Sequence, residues 1–143
     1  MRGQPLPDDD HAVRYCKRST IDEDGFIGHG AFMLRDNPRE EYLSANWLEK
    51  LPGGDEAERI AELCRIHLLE RKPRDRFALL RVGDTVEAVR ARSEADKVLR
   101  FLREAADEDP DYSHAGIHGT DGPDEEDTAQ LLADAICRTY SAS

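Results

Sequence analysis

The sequence predicts an α+β fold in which a small, mostly antiparallel sheet packs against two amphipathic helices. Two segments, 55–72 and 123–140, carry apolar residues at the spacing of a helix. Short apolar segments bounded by turn residues predict the strands. Because 143 residues is the length of one ordinary domain, we assign residues 11–143 to a single domain. Residues 1–10, which are polar and rich in Pro and Asp, are predicted to form a flexible N-terminal arm.

The strands are predicted from short apolar runs and from the turn signals between them. In the first part of the chain, strand is predicted at 12–16, 26–27 and 31–34, with a turn at Asp24-Gly25 and a bulge or loop at 28–30. In the second half, strand is predicted at 77–82 and 98–103 and extended chain at 112–118, while 85–92 fits either a helical turn or a strand. This mixture of strands and helices favours an α+β arrangement.

Both helices carry charges that match the helix dipole at their ends. Acidic residues stand near the start of 55–72 and basic residues near its end, and Pro73 ends the helix. Pro123 suits the first position of the second helix, and three acidic residues follow it at the positive end of the dipole. We expect both helices to cover one face of the sheet, because their apolar stripes are too wide to leave in water.

The segment 43–51 contains Trp47, the only tryptophan of the chain. We expect Trp47 to be largely buried, because burying a large ring removes much apolar area from water. The segment is predicted to form one or two helical turns capped by Ser44. Ser44 and Asn46 are polar neighbours of the kind that cap a helix or line a cleft, so both join Trp47 as candidate ligand-binding residues.

The net charge of −11 restricts the class of partner. It argues against a broad nucleic-acid-binding face, since affinity for phosphate backbones comes from Lys and Arg. The acidity instead suits a protein partner with a basic surface, or it serves only to keep the protein soluble.

Three cysteines, an odd number without a CxxC motif, predict free thiols in a reducing compartment. No window approaches a membrane span and no apolar segment follows the first residues, so we expect a cytoplasmic protein without membrane contact. No catalytic or nucleotide-binding signature occurs, and no cofactor is predicted.

His114 and His118 form the strongest candidate site. Residues four apart in an extended segment point to the same face, so both rings are expected to converge on one ion or phosphate. Two histidines are too few for a zinc site, and no metal is predicted. His114 is the candidate general acid or base, because histidine titrates near neutrality. The alternative is a structural histidine that hydrogen-bonds to the backbone.

The segment 14–20 concentrates cations in an acidic chain. Arg14, Lys17 and Arg18 are candidate ligands for a phosphate or a carboxylate. They equally suit neutralisation of the acidic runs on either side of them. Cys16 lies among these cations, but a catalytic thiol also needs a nearby histidine.

Three patches, in order, carry a resemblance to a known group of proteins. They are Arg14-Tyr15-Cys16-Lys17, Leu43-Ser44-Ala45-Asn46-Trp47-Leu48-Glu49 and Ser113-His114-Ala115-Gly116-Ile117. The chain resembles small uncharacterised bacterial proteins with an LSxxWLE-like stretch and a late SHAxI-like stretch. The resemblance implies that Trp47 and His114 belong to one specific surface, and it carries over no catalytic residue.

Two functional hypotheses follow. The first is a small acidic, non-enzymatic binding or accessory protein that acts through protein–protein contacts, and its acidity suits a partner with a basic surface. The alternative is a small hydrolase or nuclease-like enzyme acting on a phosphate substrate, with His114 as general acid or base and Arg14 and Lys17 as anion clamp. A concave pocket that holds His114 beside Arg14 would favour the enzyme. A flat acidic or apolar patch would favour the binding protein.

Overall fold

The computed structural model describes residues 2–36, 39–67, 74–94 and 97–142. Within these ranges the strands are β1 (His11–Cys16), β2 (Leu43–Trp47), β3 (Arg76–Arg81), β4 (Arg100–Arg103), β5 (His114–His118) and β6 (Arg138–Ser141). The α-helices there are α1 (Glu56–His67), α2 (Val82–Arg92) and α3 (Glu125–Asp134). The strands form one sheet in the order β4-β5-β2-β1-β3-β6, with antiparallel pairing throughout. The predicted α+β class and antiparallel sheet are confirmed.

Several predicted elements appear at their predicted places. β4 and β5 fall within the segments predicted to be extended, and β1 and β3 each begin one residue before the predicted start. α1 begins one residue after the predicted start, and the predicted end of that helix, including Pro73, lies outside the described residues. The segment left open between helix and strand belongs to α2, which follows β3 without an intervening loop. Of these elements, α1 has regular apolar spacing and β3 a continuous apolar run, which are strong local signals.

The prediction of helical turns over 43–51 is wrong for its first half. Residues 43–47 form β2, which lies inside the sheet and pairs with β5 on one side and β1 on the other. Ser44 therefore caps no helix, and a short 3₁₀ turn follows only at Leu48–Lys50. Leu43 and Ala45 are buried while Ser44 is exposed, which is the alternation of a strand.

Two further element predictions need correction. A 3₁₀ turn at His29–Phe32 replaces much of the strand predicted at 31–34, and it brings Phe32 into full burial. The second predicted helix ends at Asp134, and its last residues form β6 instead. β6 completes the backbone hydrogen bonding of β3, which would otherwise be a sheet edge. Long-range pairing thus outweighs the local helical pattern at this end.

The sheet has a hydrophobic core on each face, so the helices do not share one face as predicted. Along β1, Ala12 belongs to the core that contains residues of α2 and α3, whereas Val13 belongs to the core that contains residues of α1. β3 alternates in the same way, with Leu80 on the first side and Leu79 on the second. Neighbouring strand residues point to opposite faces, so α1 covers one face while α2 and α3 cover the other.

The N-terminal arm lies against the outer edge of β4. The Leu6 amide donates to the Phe101 carbonyl over 2.9 Å, and the Leu6 side chain is buried in the core beside α2 and α3. Flexibility of residues 1–10 stays a prediction, but in this structure part of the arm pairs with the sheet.

Trp47 is only partly buried, against the expectation of a largely buried ring. Its side chain packs against the core shared with α2 and α3, and its indole Nε1 donates to Asp10 Oδ2 over 2.8 Å. The Lys50 ammonium lies 6.0 Å from the ring centroid. Trp47 therefore has the double character of core residue and hydrogen-bond donor that is usual for this side chain.

Two phenylalanines provide a matched test of the core. Phe32 is fully buried, whereas Phe26 is 72% exposed. We expect Phe32→Ala to lower the free energy of unfolding by about 3–5 kcal/mol, the usual cost of deleting a core aromatic. Phe26→Ala should change it by no more than about 0.5 kcal/mol, as a surface substitution does. Denaturant unfolding measures both, and equal losses would contradict the described packing.

Candidate functional site

The candidate site lies on the sheet face that also carries α1, at the other end of the strand order. Directly paired residues share a face, and here Asn46 pairs with His114, Ser44 with Gly116, and Arg100 with His118. His114 and His118 therefore point to the same face of β5, as the strand alternation predicts. Ser44 and Arg100 are exposed, so this part of the face is open to solvent.

Tyr42 joins the two histidines. Its ring centroid lies 5.9 Å from that of His114 and 4.9 Å from that of His118. Gly116 lies between the histidines on β5, and a β-carbon there would stand 2.5 Å from Cδ2 of Tyr42. The ring thus rests on the bare backbone of Gly116, which only glycine permits at so close an approach. Sequence reasoning missed Tyr42, because its position depends on a residue of a distant strand.

A carboxylate completes this group. Glu104 Oε1 lies 3.4 Å from Nε2 of His118, and the Glu104 side chain is only 8% exposed. The Glu104 amide also donates to the His114 carbonyl over 2.9 Å. We call Tyr42, Glu104, His114 and His118 the Tyr42 cluster. It places an aromatic ring, a carboxylate and two titratable rings on one open patch of the sheet.

The electrostatic surroundings of the cluster are mainly negative. Burial raises the pKa of the Tyr42 hydroxyl, and the charges of Glu104, Glu41 and Glu40 raise that pKa further, whereas Arg2 lowers it. The Tyr42 hydroxyl therefore stays protonated and neutral near physiological pH. A partly buried neutral ring beside carboxylates is suited to an approaching cation.

Asn46 has a structural role at the edge of this site. Its Nδ2 donates to Asp111 Oδ1 over 2.8 Å and to Ser113 Oγ over 2.9 Å, and Asn46 and Ser113 are both buried. The Trp47 amide also donates to the Ser113 carbonyl over 2.7 Å. These bonds connect the end of β2 to the loop before β5, so they hold His114 in position.

The predicted anion clamp is not assembled around His114. Val13 pairs with Asn46, which pairs with His114, so the next residue, Arg14, points to the opposite face. The Arg14 Nε donates to the Ala31 carbonyl over 3.0 Å, and its Nη1 donates to the Ser44 carbonyl over 2.7 Å. Burial lowers the pKa of Arg14. Its guanidinium binds backbone where β1 and β2 separate, so Arg14 is a structural residue.

The remaining predicted residues also lie apart from the cluster. Lys17 and Arg18 are exposed beyond the end of β1, and the Arg18 amide donates to Asp75 Oδ1 over 2.9 Å. Trp47 directly follows Asn46 in β2, so it lies on the face opposite to His114. The single surface implied for Trp47 and His114 is therefore not present in this structure.

A second polar network, which the sequence analysis did not find, centres on His11. His11 Nδ1 lies 2.7 Å from Glu49 Oε2, and its Nε2 lies 3.4 Å from Nη2 of Arg138. Arg138 in turn donates to both carboxylate oxygens of Glu56, and this pairing lowers the pKa of Glu56. These residues come from four separate elements, so no sequence spacing indicated them. The network joins β1, β6 and the start of α1.

Among the described residues, grooves also lie away from this cluster. One of about 600 Å³ lies between the end of α2 and the start of α3, around Lys97. The other, of about 550 Å³, lies between the loop that carries Phe26 and Gln130 of α3. Neither is lined by a residue of the Tyr42 cluster. The condition that would favour an enzyme, His114 and Arg14 in one concave pocket, is not met.

Comparisons with known proteins assign this chain to no family. No protein-family model, no curated protein and no solved structure matches this chain. Among the described residues, no group of three or more His, Cys, Asp or Glu side chains is arranged to hold a metal ion. In the same ranges, every helix is too short or too polar to cross a membrane. The site is therefore interpreted from its own geometry.

The thiols provide a test of Cys16 as a nucleophile. Burial raises the pKa of Cys16 to about 12, so its thiol stays protonated and unreactive at neutral pH. Cys64 is also buried, whereas Cys137 is exposed. We expect iodoacetamide at pH 8 to modify Cys137 first and to reach the two buried thiols only after unfolding. Peptide mass spectrometry identifies the modified positions, and early labelling of Cys16 would contradict this assignment.

Gly116 provides a test of the cluster geometry. We expect Gly116→Ala to displace the Tyr42 ring, because the new methyl group overlaps Cδ2 of that ring. Gly30→Ala is the matched control, since its methyl group meets nothing closer than 3.7 Å. Ring-current effects on the imidazole protons of His118, measured by NMR, should change in the first variant and persist in the second. Unchanged His118 shifts in Gly116→Ala would show that the ring does not rest there.

Proposed function

We propose that this chain is a protein-binding module, and that the Tyr42 cluster receives a basic side chain of its partner. The observation that carries the proposal is the half-buried Tyr42 ring resting on Gly116 beside the shielded carboxylate of Glu104. An aromatic face attracts a cation, and a neighbouring carboxylate strengthens that attraction.

The position of the cluster supports this proposal. The core beneath α1 draws on β1, β3 and the segment around Leu48 and Leu51, so it leaves the β4–β5 part of the face outside it. Exposed Ser44 and Arg100 border the cluster there. An open patch suits a protein surface better than an enclosed small molecule.

The overall charge supports the same class of partner. A chain with 31 acidic and 20 basic residues attracts a basic protein over a distance and repels acidic competitors. Glu40 and Glu41 add negative charge close to Tyr42. We infer a cytoplasmic setting as part of this proposal, supported by the free thiols of Cys16, Cys64 and Cys137.

The alternative of a phosphate-directed hydrolase receives no such support. Two basic residues, Arg2 and Arg100, lie near the cluster, against the carboxylates of Glu40, Glu41 and Glu104. Arg14, which was predicted to be part of the anion clamp, points to the other face of the sheet. The local charge thus favours a cationic ligand over a phosphate.

Binding of a tetra-arginine peptide to the full chain tests the proposal. We expect imidazole and ring protons of the Tyr42 cluster to shift on titration, and Tyr42→Ala to weaken binding about fivefold, the equivalent of about 1 kcal/mol. Tyr42→Phe keeps the aromatic face and should bind nearly as well as the unmodified chain. NMR titration at fixed salt gives the affinities.

Phe26→Ala is the matched control for this titration. Phe26 is an exposed aromatic residue in an acidic loop, two residues after Asp24, but it lies outside the cluster. Its replacement should leave the affinity unchanged. If Phe26→Ala weakens binding as much as Tyr42→Ala, the peptide binds through general acidity and the proposed site is wrong.

A further inference from the structure

The outer edge of β4 is occupied by a segment of the same chain. The Gly3 amide donates to the Arg103 carbonyl over 2.6 Å, and the Arg103 amide donates to the Gln4 carbonyl over 2.8 Å. Pro5 forms an antiparallel bridge with Leu102. Residues 3–6 thus bond to the outer edge of β4 through an isolated bridge, outside the six regular strands.

One side chain anchors this segment. Leu6 is 4% exposed and belongs to the core that also contains Phe101. Its neighbours Gly3, Gln4 and Pro5 are all exposed. Pro5 and Leu102 form a non-hydrogen-bonded pair, and the backbone bonds to β4 are made by Gly3, Gln4 and Leu6. An element with one buried anchor and few backbone bonds opens at a low free-energy cost compared with the whole fold.

The segment also carries a cation to the Tyr42 cluster. Arg2 directly precedes Gly3, which bonds to Arg103 next to Glu104 of the cluster, and the charge of Arg2 lowers the pKa of the Tyr42 hydroxyl. The arm therefore combines a basic residue near the cluster, an extended backbone along β4 and an aliphatic residue in a core pocket. These are the parts by which an extended peptide binds to a sheet edge.

We propose that residues 2–6 are an intramolecular pseudo-ligand, which an extended basic segment of the partner displaces by pairing with β4 in its place. The displacing segment would carry a basic residue in the position of Arg2 and an aliphatic residue in the position of Leu6. The identity of the cation rests on the proposed function of the Tyr42 cluster, whereas the exchange at the β4 edge does not. The tethered arm competes with the partner segment at an effective concentration on the order of millimolar. It therefore lowers the affinity for the partner and selects against segments that lack either residue.

A synthetic peptide with the sequence of residues 1–8 is the probe for this exchange. In the full chain with Leu6→Glu the arm loses its anchor, since a charge cannot enter the core pocket without a partner. We expect this variant to bind the peptide about tenfold more tightly than the unmodified chain, because the intramolecular competitor is gone. Circular dichroism checks that the variant is folded, and Leu6→Ala, a milder change, gives the same direction with a smaller gain.

Two altered peptides act as controls. Replacing Leu6 of the peptide by Glu should abolish its binding, and replacing Arg2 by Glu should weaken it. Amide hydrogen exchange of the unmodified chain should show faster exchange at Leu6 than in β1, and saturating Leu6→Glu with peptide should protect the Arg103 amide, which donates to the arm.

The outcomes separate this inference from the proposed function. Equal affinity of the peptide for the unmodified chain and for both Leu6 variants overturns the pseudo-ligand, even where tetra-arginine binds at Tyr42. A gain of affinity in the Leu6 variants that is indifferent to Arg2 of the peptide supports exchange at the edge and overturns the cation site. Exchange at the Leu6 amide as slow as in β1 also overturns a displaceable arm.

Discussion

The two-sided burial of the central strands is the constraint on which the rest of the structure depends. β1 has hydrogen-bonded neighbours on both sides, and its successive residues Ala12 and Val13 enter different cores. Each face of the sheet must therefore be covered, since leaving either apolar face in water would cost much of the stability gained from burial. α1 covers one face, and α2 with α3 covers the other. The single layer of helices expected from the sequence could not satisfy both faces.

Unequal coverage of one face follows from this arrangement. The core beneath α1 extends over β1 and β3, and among the residues that the structure describes Tyr112 is its member on the β4–β5 side. The Tyr42 cluster occupies the uncovered part, where Tyr42 takes the place that a helix side chain has elsewhere. A surface left open beside a rigid sheet is well placed for binding, because the scaffold holds its side chains in position.

The acidic excess has more than one origin. Asp22 accepts hydrogen bonds from the amides of Asp24 and Phe26, and Asp75 accepts from the Arg18 amide and the Tyr15 hydroxyl. Such carboxylates build turns and connect segments, so they would be needed with any partner. The carboxylates near Tyr42 are different, because they border an open aromatic ring. Net charge alone could not distinguish these two groups, and only their positions in the fold do.

The sequence by itself determined the elements whose cause is local. The apolar spacing of α1, the continuous apolar run of β3 and the shared face of His114 and His118 all arise within a few residues of chain. Only the tertiary structure decided that Leu43–Trp47 is a strand and that Arg138–Ser141 leaves the helical pattern to pair with β3. The contact of the Tyr42 ring with Gly116, and the position of Arg14 on the face opposite to His114, are also known only from the tertiary structure. The reason is physical. Apolar periodicity is a property of neighbouring residues in the sequence, whereas strand pairing, and which face of the sheet a side chain occupies, depend on partners that are distant in sequence.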